Sequence, residues 1–249
     1  MRVLLVSPHP DDVALSFGGW VAAHTRRLRA QGWRFDLLTV FGTTLYAPHS
    51  PHAVTKEAVS ALREREDRAY ARRHGLRLTS LRQEDCSCLG MDDEEELIAP
   101  EAGDPRRAAV RQLLAAALAG ADLVVAPLGV GGHVDHRIVR GAVRQSLGAT
   151  PCLWYEDLPY ALESPVEPPA GHRPWLVDLR GHEEAKQADL ALYRSQLTAA
   201  DTTEVLSYRP DGASVPCERL WSPAGFPEDL AQRMALATLA AVTPDKESL

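Results

Sequence analysis

The chain has no apolar run that approaches the roughly 18 residues needed to cross a bilayer. Only four apolar residues, Val3 to Val6, separate Arg2 from Ser7, too few for the apolar region of a secretory signal. A soluble cytoplasmic protein is the expectation. Cysteine is scarce: Cys86, Cys88, Cys152 and Cys217 form no Cys-x-x-Cys pair, and Cys86-Ser87-Cys88 is one residue too tight for a zinc knuckle. They read as free thiols in a reducing compartment. Positive charge is in deficit, with 27 Lys and Arg against 34 Asp and Glu for a net charge of -7. That argues against a nucleic-acid partner, whose phosphates require a basic face. Arg26-Arg27 and Arg72-Arg73 then read as solvated helix faces. No Gly-x-Gly-x-x-Gly follows the first apolar run, so the dinucleotide fingerprint is missing, and so are internal repeats and low-complexity segments.

What is present is an alternation. With 249 residues, 45% of them hydrophobic, the chain suffices for one large domain, residues 1–249. Short buried strands are expected at Arg2–Val6, Phe35–Phe41, Leu76–Leu78, Leu123–Ala126, Cys152–Tyr155 and Trp175–Leu179. Helical spacing occupies Ala14–Arg29, Val54–Arg73 (closed by Gly75), Pro105–Ala119, Arg137–Leu147, Glu183–Gln196 and Pro227–Ala241. Asp104-Pro105 reads as a cap followed by a first-turn proline, and the acidic segment 84–103 as a surface excursion. Strands alternating with helices imply an α/β fold: a Rossmann-like, mostly parallel sheet with helices on both faces, in a single domain. Sites in such sheets form outside the carboxyl ends of the strands.

Two clusters stand at those ends. Pro8-His9-Pro10-Asp11-Asp12 follows the first strand, and Gly132-His133-Val134-Asp135-His136 follows the strand at 123–126. A hydrolytic zinc centre takes three ligands from His, Asp or Glu and keeps one position open for water. His9 and Asp12 lie three apart across a turn, and His136 from the other strand end makes a third ligand. Asp11 is left as general base. His133 suits a general acid or an oxyanion donor, with Asp135 holding its tautomer. Taken singly, either cluster could be an ordinary turn or a surface pair; two after strands of one α/β pattern favour a shared metal site.

The pair His9-Pro10-Asp11-Asp12 and His133-Val134-Asp135-His136 resembles the PIG-L (LmbE-like) N-deacetylase family. The resemblance extends to Arg63-x-x-Glu66 and to Lys186…Tyr193-x-Ser195-Gln196, over most of residues 1–200. It implies hydrolysis of an N-acyl group, usually N-acetyl on an amino sugar, with a divalent metal, most often zinc, although Fe²⁺ or another divalent ion is compatible. His9, Asp12 and His136 would be the ligands, Asp11 the base, and His133 the acid or oxyanion donor steadied by Asp135. Arg63 would be a substrate contact, or else pair with Glu66 within its helix. The family often has Glu where this chain has Val13 and Pro where it has Val134. Neither departure removes a ligand or the base; both point to a specialised branch.

Trp154-Tyr155-Glu156-Asp157-Leu158-Pro159-Tyr160 places aromatics beside carboxylates after a strand, which suits a sugar ring. Glu156 and Asp157 are the expected polar contacts. The expected partner is a small N-acylated molecule, with neither nucleic acid nor membrane; a homo-oligomer is compatible. The Ala/Arg-rich composition is that of a high-GC bacterial chain, where the family's substrates include intermediates of low-molecular-weight thiols and natural products. Two rivals stand beside this reading: a metal-dependent amidase acting on a non-sugar N-acyl compound or thiol conjugate, and a non-catalytic binding domain without stoichiometric metal.

Overall fold

The computed structural model describes residues 1–91, 93–98 and 101–238. Strands β1 (Arg2–Ser7), β2 (Arg34–Thr39), β3 (Arg77–Ser80), β4 (Leu123–Pro127), β5 (Cys152–Tyr155), β6 (His172–Asp178) and β7 (Cys217–Pro223) form one sheet in the order β3-β2-β1-β4-β5-β7-β6. The first five are parallel, while β7 runs antiparallel to both β5 and β6. The helices are α1 (Asp12–Ala30), α2 (Lys56–His74), α3 (Glu94–Leu97), α4 (Arg106–Leu118), α5 (Val134–Ser146), α6 (Tyr160–Glu163), α7 (Glu183–Leu190), α8 (Ala199–Leu206) and α9 (Glu228–Arg233).

The apolar runs expected as strands are strands because nothing else buries them on both sides. Val3–Val6 and Leu123–Ala126 are inaccessible to solvent along their whole length, as the inner strands of a covered parallel sheet must be. Helix α1 packs on α2 and α7, while α4 packs on α5. Right-handed crossovers put the first group and the second on opposite faces, because strand order runs outward from β1 through β2 and β3, then reverses to β4 and β5. The α/β, mostly parallel fold read from the sequence is therefore the fold observed. Among the described residues no helix is long and apolar enough to cross a membrane.

Three differences from the sequence reading have physical causes. Strand β7 is not among the strands expected from the sequence, and it carries Glu218 and Arg219. Both are buried because each meets a buried opposite charge, Lys186 and Glu156 respectively. The helix expected through Gln196 stops at Leu190, and a separate α8 follows, opened by a capping box between Thr198 and Asp201. Helix α9 ends at Arg233, shortly before Ala235 in the left-handed region (φ 55°). Residues 239–241, the expected end of that helix, lie outside the described residues.

Candidate metal centre

The order of strands reverses between β1 and β4, and the loops leaving these two neighbours diverge to either side of the sheet. The first loop is pinned by Ser7, whose hydroxyl donates to the His9 carbonyl (2.6 Å) and accepts from Val13 N (3.2 Å). At its turn Asp11 takes φ 117°, ψ -34°, a conformation costly for a side chain with a Cβ. Arg63 from α2 holds it there: Nη2 donates to the Pro10 carbonyl (2.9 Å) and lies 3.2 Å from both Asp11 oxygens. The second loop turns through Gly129, Gly131 and Gly132, all with positive φ, and delivers His133 to the head of α5.

The two loops bring their imidazoles and carboxylates together. His9 Nδ1 is 3.3 Å from Asp12 Oδ2, and His136 Nε2 is 3.5 Å from Asp12 Oδ1. The His9, His133 and His136 ring centroids are mutually 5.2 to 5.3 Å apart. His9, Asp12 and His136 each offer a donor atom within 4.8 Å of the others. The decisive atom is His136 Nε2. It is fully buried with no hydrogen-bond partner, while Asp157 Oδ1 sits 2.7 Å from the ring's other nitrogen. If Nδ1–H donates to that carboxylate, a bare lone pair faces Asp12 and His9. Such an arrangement fits a divalent cation. His9, His133 and Asp135 form a second set of that size, but the Arg106 guanidinium already stands 2.7 Å from Asp135 Oδ1. That neighbour disfavours a cation there, and the first set is the candidate centre.

The electrostatics follow from burial. Burial opposes a charge on His9, but hydrogen bonds to Asp12 and Asp135 outweigh it and push the imidazole up to about 10. Asp12 is likewise penalised by burial, yet His136 and His9 hold it at about 2. Asp11 goes the other way: burial raises it to about 7, with Arg63 opposing and Asp12 assisting. Burial, then the neighbouring His136 and His9, lower His133 to about 3, so it is neutral at pH 7.

Several residues singled out in the sequence have different partners from those expected. Asp135 does not hold His133 through its carboxylate. The carboxylate binds His9 Nε2 (3.0 Å), Arg106 Nη1 (2.7 Å) and Cys86 N–H (3.0 Å), whereas its backbone N–H meets His133 Nδ1 at 3.3 Å. The tautomer with the proton on Nε2 still results, by a different route. Cys86 Sγ lies 3.7 Å from that Nε2. Arg63 is buried against Asp11 and not spent on Glu66, whose carboxylate takes the Ser195 amide and hydroxyl. Glu156 and Asp157 are not open sugar contacts. Both are fully buried: Glu156 accepts from Arg219 Nε, Trp221 Nε1 and Tyr208, and Asp157 from the Gly129 and Val130 amides, besides its contact with His136. Arg106 and Cys86 were not foreseen; they reach Asp135 from 29 and 49 residues away, with no local pattern to announce them.

Fold and site together place two histidines and an aspartate at metal-ligand spacing, at the strand-order switch of a mostly parallel α/β sheet. Residues 4–147 match the family model PIG-L: GlcNAc-PI de-N-acetylase. The chain is 40% identical over 226 residues to the 2'-N-acetylparomamine deacetylase of Streptomyces fradiae, covering 85% of this chain and 79% of that protein. In structure it resembles the A40926 pseudoaglycone deacetylase Dbv21, with a TM-score of 0.66 and 25% identity over 89% of this chain and 96% of that one. The N,N'-diacetylchitobiose deacetylase from Pyrococcus horikoshii shares the fold (TM-score 0.61, 20% identity, 92% and 88% coverage). The chain belongs to the PIG-L family of N-deacetylases, hydrolases of an amide C–N bond.

Proposed function

We propose that the protein is a zinc-dependent deacetylase that removes an N-acetyl group from an amino sugar of a natural-product intermediate. The observation that carries the reading is the bare, buried His136 Nε2 beside Asp12 and His9, with Asp11 next in the chain and raised to about 7. The sugar class is supported by the relative that acts on 2'-N-acetylparomamine. The same reading takes residues 1–249 as one cytoplasmic domain, supported by the single sheet from β3 to β6.

His9, Asp12 and His136 would hold the ion. When bound, a divalent cation there polarises the acetamide carbonyl and acidifies the attacking water. Asp11 takes a proton from that water as its oxygen bonds to the carbonyl carbon; a carboxylate titrating near neutrality is suited to the task. His133, neutral and protonated on Nε2, donates to the carbonyl oxygen as it gains negative charge. Asp11 then returns its proton to the nitrogen as the C–N bond breaks, leaving acetate and a free amine. Two imidazoles and a carboxylate suit zinc and also iron(II).

Metal analysis of the purified protein, with a screen of N-acetylated amino sugars against simple N-acyl amides, tests the reading. One equivalent of metal and amine release from the sugars are expected. Asp11→Asn should abolish turnover while metal content persists. Preferential release from non-sugar amides would move the substrate to the amidase alternative, and absence of bound metal would remove the mechanism.

A further inference from the structure

Tyr160 opens α6, three residues after Asp157, and its ring lies against both histidines of the second loop. The ring centroid is 5.3 Å from His136, at 82° to it, and 5.7 Å from His133. The close fit depends on Gly131. A Cβ at that position would stand 2.7 Å from the Tyr160 Cβ, and the φ of +76° would strain any other residue. Glycine at 131 thus lets an aromatic wall close on the site from the β5 side.

Apart from the bare His136 Nε2, the polar groups named at the centre are already engaged. Asp11 is taken by Arg63, Asp135 by His9, Arg106 and Cys86, and His136 Nδ1 by Asp157. The Tyr160 hydroxyl makes no hydrogen bond among the described residues, although a phenol beside a site wall is a strong donor and acceptor. His136 is fully buried and His133 nearly so, whereas Tyr160 is half-buried as a residue, and its hydroxyl lies near enough to Asp12, Asp11 and Asp157 to feel their charge. A phenol beside the centre is within reach of a sugar hydroxyl next to the acetamido group. Tyrosine also offers a ring face beside its hydroxyl, apolar body and polar tip together.

We propose that Tyr160 is a substrate-binding residue of this site, whose phenol hydrogen-bonds a hydroxyl of the sugar that carries the acetamido group. This rests on the deacetylase reading and adds a specificity element to it. The interaction is with a part of the substrate that does not change during reaction, so it contributes equally to ground and transition states. Removing it should therefore raise KM and spare kcat.

Tyr160→Phe keeps the ring and its packing on His133 and His136, which preserves the fold. With the metal-loaded enzyme and an N-acetylated amino sugar that the native protein turns over, KM should rise about tenfold, the factor for one neutral hydrogen bond. The kcat should stay within about threefold and the metal dissociation constant should not move. An unchanged KM would overturn the assignment. So would a fall in kcat accompanied by weaker metal binding, since that marks a wall that only supports the histidines. Failure of the deacetylase reading looks different: the native protein would release no amine from any N-acetylated amino sugar.

Discussion

The Asp157 carboxylate bridges the imidazole of His136, 2.7 Å from its Nδ1, and the amides of Gly129 and Val130, at 2.6 and 2.8 Å. One buried side chain thus fixes both the orientation of a candidate ligand and the glycine-rich turn that precedes it. Partners of this kind are worth 10- to 100-fold in metal affinity. Asp157→Asn should weaken metal binding by about that factor, measured by competition with a chromophoric chelator. Unchanged affinity would mean that His136 does not depend on this contact.

Arg63 lies against Asp11 and opposes the upward push of burial on that carboxylate. Asp11 acts as a base only when deprotonated, so activity should fall as pH drops through its pKa. Arg63→Met withdraws the opposing charge and raises the pKa further. The acid limb of kcat/KM should then move to higher pH by about one unit, with a larger deficit at pH 6.5 than at pH 8.5. A profile that drops equally at both values would show that Arg63 serves the substrate and not the base.

Lys186 and Glu218 form an ion pair of 2.8 Å with both side chains fully buried, and Glu218 also accepts from the amides of Gly19 and Trp20 in α1. Breaking such a pair leaves an uncompensated charge in the interior, at a cost of about 3 to 5 kcal/mol. Lys186→Met should lower the urea midpoint accordingly, and adding Glu218→Gln should recover part of the loss. A single variant within about 1 kcal/mol of the native protein would contradict the burial of an intact pair.

The strands and the two clusters were legible in the sequence because their signals are local. Val3–Val6 and Leu123–Ala126 are unbroken apolar runs, and each hands over to His and Asp at the sheet's carboxyl edge. What stayed hidden depends on partners far along the chain. Glu156 and Asp157 looked like open acceptors because Arg219, Tyr208 and Trp221, and His136 and the Gly129 turn, are remote in sequence. Strand β7 was hidden for the same reason: Glu218 and Arg219 break its apolar pattern, and only Lys186 and Glu156 make their burial tolerable. Arg63 was legible as a site residue, but its choice of Asp11 over Glu66 needed the strained turn that brings Asp11 to it.

Strand β7 is the latest-made piece of the sheet, yet it sits inside it. Glu218 grips the amides of α1, while Arg219 and Trp221 hold Glu156, the neighbour of Asp157. A nascent chain released at residue 216 would carry every motif and lack the clamp behind both loops. The candidate metal site is thus supported from behind by the last strand of the sheet to be made.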